Sequence, residues 1–172
     1  MFEKGEYIMY GHSGICLVED ITHLNLAGVD RKKLYYVLMP QNIKGSRIYF
    51  PIEKENAHAR RLITKEEALK LLDEIRDIEE IWVSNEKLRE EQYKEVLNSG
   101  DYRRWVSIIK TLYQRKQERI AQGKKIAAMD ERYMKMAEDA LYSELAFVIG
   151  KERSEMERFI REHIEKMELE EV

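Results

Sequence analysis

Up to about residue 60, apolar residues come in short blocks separated by glycine, proline and polar turns. The blocks are Glu6-Tyr7-Ile8-Met9-Tyr10, Ile15-Cys16-Leu17-Val18, Leu34-Tyr35-Tyr36-Val37-Leu38 and Arg47-Ile48-Tyr49-Phe50. Each is rich in β-branched, aromatic and aliphatic side chains and is about as long as a strand. Both prolines, Pro40 and Pro51, and five of the eight glycines fall here, and Gly11-His12-Ser13-Gly14 and Ile43-Lys44-Gly45-Ser46 carry turn chemistry. After Arg61 the apolar period changes from that of strands to that of helices. Thr64-Lys65-Glu66-Glu67 is a capping box, and Ala68, Leu71, Leu72 and Ile75 follow at helical spacing. Ser84 is positioned to cap a second helix carrying Leu88, Tyr93, Val96 and Leu97. Ser99-Gly100-Asp101 then supplies a left-handed stop and a fresh N-cap. A third helix from about Tyr102 to Ala121 is predicted to bury Trp105, Ile108, Ile109, Leu112 and Tyr113. A fourth, from about Asp130 to Ile149, places Met134, Ala137, Leu141, Leu145 and Val148 on one stripe and ends at Gly150. The last, about Lys151 to Leu169, does the same with Met156, Phe159, Ile160, Ile164 and Met167.

The expected fold class is therefore α+β in two domains. A small N-terminal antiparallel β-module over residues 1–60 is expected to close as a Tudor-like or SH3-like barrel, because closure removes exposed strand edges. An all-α domain of about five helices is expected over residues 61–172.

Composition narrows the chemistry. The longest apolar runs, such as Leu145-Ala146-Phe147-Val148-Ile149, fall far short of the roughly 18 residues a membrane span needs, so no membrane partner is expected. Met1 to Glu6 lacks the basic start and apolar core of a cleavable leader. The single cysteine, Cys16, lies in an apolar strand pattern, which points to a reduced structural thiol and a cytoplasmic setting. The four histidines are scattered, and the His12 and Cys16 pair has no second pair to complete a zinc site. There is no phosphate-cradling glycine loop and no nucleophile elbow. No enzyme activity, metal or cofactor is expected.

Net charge is −3, but its distribution is uneven. Arg103, Arg104, Lys110, Arg115, Lys116, Arg119, Lys124 and Lys125 face only Glu118 over that span, a local excess of +7. A ridge of this kind either is a solvated face or attracts phosphates, since charges beyond about 8 Å are largely screened at physiological salt. Trp82 also has two readings. With Ile81 it forms a hydrophobic staple against Leu88, or it stands as an exposed indole that wedges at a base step while Lys87 and Arg89 hold phosphates. Trp105, in register with Ile108 and Leu112, reads as core.

The opening Phe2-Glu3-Lys4-Gly5-Glu6-Tyr7-Ile8-Met9-Tyr10-Gly11-His12-Ser13-Gly14-Ile15, then Tyr35-Tyr36-Val37-Leu38, Ile48-Tyr49-Phe50-Pro51, Trp82 and Ser99-Gly100-Asp101 with a basic helix after it, resemble a CarD/CdnL-type bacterial transcription regulator. The first part is also similar to the polymerase-interacting module of transcription-repair coupling factors. The resemblance implies a Tudor-like module that grips the RNA polymerase β subunit. It also implies a helical domain that touches promoter DNA in the minor groove, without sequence specificity, at the upstream edge of the melted bubble. A Trp matching Trp82 would be the wedge, the basic residues beside it the backbone contacts, and a longer-lived open complex the result. It further implies a cytoplasmic, nucleoid-associated location through polymerase, and a monomer is expected. The positions matching the polymerase-contacting arginines of better-known members hold Leu24 and Tyr49. Arg47, two residues before Tyr49 and so on the same side of a strand, is the displaced alternative, and Arg31 lies in the loop from Thr22 to Lys33. Two rival readings are a protein-interaction scaffold whose basic helix docks an acidic partner, and an RNA-binding module stacking bases on Tyr35, Tyr36 and Tyr49.

Overall fold

The computed structural model describes residues 1–54, 59–81 and 85–171. The chain forms two units, Met1–Leu62 and Ile63–Val172.

The first unit is a five-stranded antiparallel sheet. Its strands are β1 (Tyr7–Tyr10), β2 (Gly14–His23), β3 (Leu34–Pro40), β4 (Ile48–Pro51) and β5 (Ala59–Arg61), in the spatial order β4-β3-β2-β1-β5. Alternation along each strand sends Ile8, Cys16, Val18, Tyr36, Leu38 and Phe50 to one face, where they form the core with Phe2. A bulge between Val18 and Asp20 shifts the register so that Ile21, opposite Tyr36, packs against the same core. Phe2 is pinned there twice. Its backbone N–H donates to the Tyr36 hydroxyl at 3.1 Å, and its ring lies 5.6 Å from the Tyr36 ring. Each such buried aromatic or aliphatic side chain contributes roughly 1.5–3 kcal/mol.

This sheet is open, which corrects the expected Tudor-like or SH3-like barrel. Among the described residues β4 pairs only with β3, and β5 only with β1, so the strands that would have to meet to close a barrel are the two outer ones. Closure is not needed to manage these edges. The edge strands have four and three residues, β4 ends at a proline without an N–H, and β5 carries Arg60 and Arg61.

The second unit is all-helical: α1 (Lys65–Glu74), α2 (Arg89–Asn98), α3 (Tyr102–Ala121), α4 (Ala128–Ile149) and α5 (Arg153–Glu170). The capping box forms as its residues dictate. The Glu67 N–H donates to Thr64 Oγ1 at 3.0 Å, and the Thr64 N–H donates to Glu67 Oε2 at 3.1 Å. Gly100, at φ 68°, turns the chain out of α2, and Asp101 accepts from the N–H groups of Arg103 and Arg104 to start α3. The α2 segment differs from expectation, because Asn85 caps a short 3₁₀ turn, Glu86–Leu88, that leads into the helix. Trp82 and the expected Ser84 cap lie outside the described residues. The core gathers Leu71, Leu72, Tyr93, Trp105, Ile108, Leu112, Leu141, Leu145 and Met156. Leu88 and Tyr113, both read from the pattern as buried, are exposed. Glu144, almost fully buried, accepts from the Ile63 N–H at 2.9 Å and so ties the entry of the unit to α4.

Candidate functional site

The basic residues expected to contact DNA sort into two groups once their partners are known. Six of them are engaged within the helical unit. Arg103 Nη1 donates to Glu74 Oε2 of α1 at 2.7 Å, and Arg104 pairs with Glu95 of α2 at 3.5 Å. Lys110, seven residues beyond Arg103 and so on the same side of α3, reaches the C-terminal end of α1. Its ammonium donates to the carbonyls of Ile75 (3.0 Å), Arg76 (3.0 Å) and Ile78 (2.5 Å). Those carbonyls lie in the 3₁₀ turn Ile75–Asp77 and just beyond it, past the end of α1, so a cation there meets the negative end of the helix dipole.

Arg89 and Arg115 share one carboxylate. Asp130 of α4 is 3% exposed and lies 3.0 Å from Arg115 Nε and 3.5 Å from Arg89 Nη2. Glu86 pairs with both arginines from the solvent side. Burial is the largest single influence on the Arg115 charge and works against it, but the Asp130 hydrogen bond and the charges of Asp130, Tyr93 and Glu86 together outweigh it, leaving that guanidinium above its ordinary pKa. The neighbouring Tyr93 hydroxyl is pushed up to about 12, by burial first and by the Asp130 charge second. Arg119 completes the engaged set. Its Nε donates at 2.7 Å to the carbonyl of Lys125 and so folds the α3–α4 turn back onto the end of α3.

The second group is Lys87, Lys116, Lys124 and Lys125. Lys87, Lys124 and Lys125 are exposed and Lys116 is half-buried, and among the described residues none of the four has a carboxylate at ion-pair distance. Lys124 and Lys125 stand at the tip of the turn that Arg119 clasps. Exposed apolar Leu88 lies beside Lys87, and exposed Ile120 lies just before the turn. Trp82, the expected wedge, lies outside the described residues.

In the first unit the four expected polymerase-contacting residues are placed differently from one another. Leu24 is buried just beyond β2 and offers little side chain to a partner. Arg31 is exposed in the β2–β3 connection. Arg47 pairs with Glu19 of β2. Tyr49, opposite Val37 on edge strand β4, is 45% exposed and points away from the core that its neighbour Phe50 enters. Cys16 is fully buried, and burial pushes its thiol up to about 11, which fits a structural rather than reactive role. Among the described residues no group of three or more His, Cys, Asp or Glu is placed to hold a metal ion, and no helix is long and apolar enough to cross a membrane.

The residue that sequence reasoning missed is Asp130. It was read as the acidic start of α4, whereas the helix begins at Ala128 and Asp130 turns inward. The signal was present: positions 130, 134, 137 and 141 make one helical stripe, and a carboxylate on a buried stripe requires a cationic partner.

Two family models match the chain in tandem: the CarD-like/TRCF RID domain over residues 2–63 and the CarD C-terminal domain over residues 67–161. Compared with individual curated proteins, the chain has no match. The second domain match alone spans more than half of the sequence, and the first covers the whole sheet from β1 to β5. The chain thus belongs to the CarD family, non-catalytic transcription regulators that interact with RNA polymerase.

Proposed function

We propose that this protein is a two-contact regulator of transcription initiation. The N-terminal sheet holds the β subunit of RNA polymerase, and the helical domain holds promoter DNA at the upstream edge of the bubble and prolongs the open complex. The observation that carries this reading is the tandem order of the two CarD-family domains. The distribution of free and engaged cations supports a narrower DNA contact than the +7 span suggests. Lys87, Lys124 and Lys125, with Lys116 at the margin, supply the phosphate contacts, and Trp82 supplies the wedge. Arg89, Arg103, Arg104, Lys110, Arg115 and Arg119 hold the domain together. On the polymerase side Arg31 and Tyr49 present accessible side chains, Arg47 does so beside Glu19, and Leu24 acts through packing.

Tethering makes so small a DNA contact sufficient. One face bound to polymerase raises the local concentration of the other at the promoter, so a weak and sequence-indifferent grip is enough. A grip that favours the open state over the closed one by about 1.4 kcal/mol shifts the equilibrium about tenfold.

The test is the lifetime of competitor-challenged open complexes formed by polymerase with the parent chain and with Trp82→Ala. The variant is expected to shorten the lifetime several-fold while binding polymerase as tightly as the parent. An unchanged lifetime would refute the wedge, and loss of polymerase binding would refute the division of labour.

A further inference from the structure

The helical unit has a second concave surface with a different character. α3 and α5 both pack on α4, and between them a trough of about 750 Å³ runs over the outer side of α4. Its apolar lining comes from Ile109 and Tyr113 of α3, Met134 and Tyr142 of α4, and Ile160 and Ile164 of α5. Tyr113 is 54% exposed although it stands in the same helix as Trp105, which is 2% exposed. The trough is continuous with a smaller apolar notch of about 210 Å³ that shares Ile109, Tyr142, Ile160 and Ile164.

Charge around the trough is uneven. Lys110, Asp130 and Glu168 also line it, but all three are engaged elsewhere, with the carbonyls just beyond α1, with Arg115 and with Arg76. The remaining carboxylates are Glu131, Glu138, Glu157 and Glu165, against Lys116, Lys135 and Arg161. The α5 wall holds two of these acids beside Arg161, and the α3 wall holds none. Glu138 on the floor and Glu157 on the α5 wall lie close to each other, and among the described residues neither has a cation at ion-pair distance. Burial first and Glu157 second raise the Glu138 pKa, while Lys116 and Arg153 pull it the other way. Arg153 is itself paired with Asp139.

A trough between two helices with apolar residues along it and two neighbouring carboxylates unpaired among the described residues, Glu138 and Glu157, matches an amphipathic helix that carries lysine or arginine beside its apolar stripe. Such a helix would pack on α4 as α3 and α5 do. Its cations would sit against Glu138, Glu157 and Glu165, which repel phosphate and so argue against nucleic acid as the occupant. We propose that the trough between α3 and α5 is a docking site for a basic amphipathic helix of a protein partner. This surface is distinct from the exposed lysines assigned to DNA, Lys116 excepted.

The experiment uses the full chain and two labelled synthetic helices of equal length, one of Leu and Lys and one of Leu and Glu, with binding read by fluorescence anisotropy. The Leu/Lys helix is expected to bind at least about tenfold more tightly than the Leu/Glu helix. Tyr113→Asp separates seated docking from general attraction between opposite charges. It adds a negative charge at an exposed position that the fold tolerates, so general attraction would tighten binding, whereas docking in the trough weakens it about tenfold. The pair Glu138→Gln and Glu157→Gln should weaken the Leu/Lys helix too. No binding, equal binding of both helices, or unchanged or tighter binding by Tyr113→Asp would overturn the proposal.

Discussion

Replacing Lys110 by methionine separates a structural cation from a nucleic-acid contact. Methionine keeps most of the apolar stem but removes the ammonium that donates to the Ile75, Arg76 and Ile78 carbonyls. Hydrogen bonds to a charged group are worth roughly 1.5–3 kcal/mol each, but these share one ammonium and lie in a part-buried site where water can replace some of them. The loss should therefore be about 2–3 kcal/mol rather than three full bonds. For a domain of this size that corresponds to a fall in Tm of about 8–20 °C. Urea and thermal unfolding followed by far-UV circular dichroism measure it, with each transition fitted separately because two units need not unfold together. The same variant, kept below its transition, should bind promoter DNA with the parent's dependence on salt. If Lys110→Met unfolds at the parent's urea concentration yet loses a salt-sensitive share of DNA affinity, the ammonium faces phosphate and the capping argument is wrong.

Three other outcomes follow from the same geometry. Lys124→Gln with Lys125→Gln should flatten the slope of log affinity against log salt by about 1.8, at about 0.9 per lost phosphate contact, with the unfolding midpoint unchanged; an unaltered slope would place the contacts elsewhere. Asp130→Asn leaves Arg89 and Arg115 without their buried shared anion, with only Glu86 on the solvent side, and should cost about 3 kcal/mol, the low end of the range for breaking a buried pair because Arg115 is 28% exposed. A double-mutant cycle with Arg115→Met checks this, and a coupling near zero would contradict it. Glu138→Gln should raise Tm at neutral pH. The folded-state pKa of Glu138 is raised, so folding gains from this group on the acid side and loses that gain as pH rises through the folded value; the advantage of glutamine should therefore vanish once pH falls below the ordinary carboxylate value. Calorimetry at the two pH values decides it.

What could be read from the chain beforehand depended on how far apart the interacting residues are. The Thr64–Glu67 capping box and the Gly100-Asp101 stop and start are satisfied within three residues, so local chemistry determines them. The strand blocks were legible for the same reason. Sheet closure was not, because it depends on whether β4 and β5 meet, and nothing in either short segment encodes its partner. The basic span misled in a similar way. Charges counted along α3 look unopposed, but Arg103 finds Glu74 twenty-nine residues earlier and Arg115 finds Asp130 fifteen residues later. Tyr113 shows the limit of the stripe rule: its place among apolar neighbours is correct, and the side it faces is left open by α5.

The engagement of six cations within the fold also bears on where the molecule can go. Affinity for random duplex scales with the number of phosphates neutralised, and a proposed DNA-facing patch of three or four lysines on a chain of net charge −3 has little of it. Spread over a genome's excess of ordinary sequence, such a chain would not be sequestered by background sites. Its position would instead be dictated by the larger assembly that carries it, and its influence would rise and fall with how many of those assemblies are waiting at a start site.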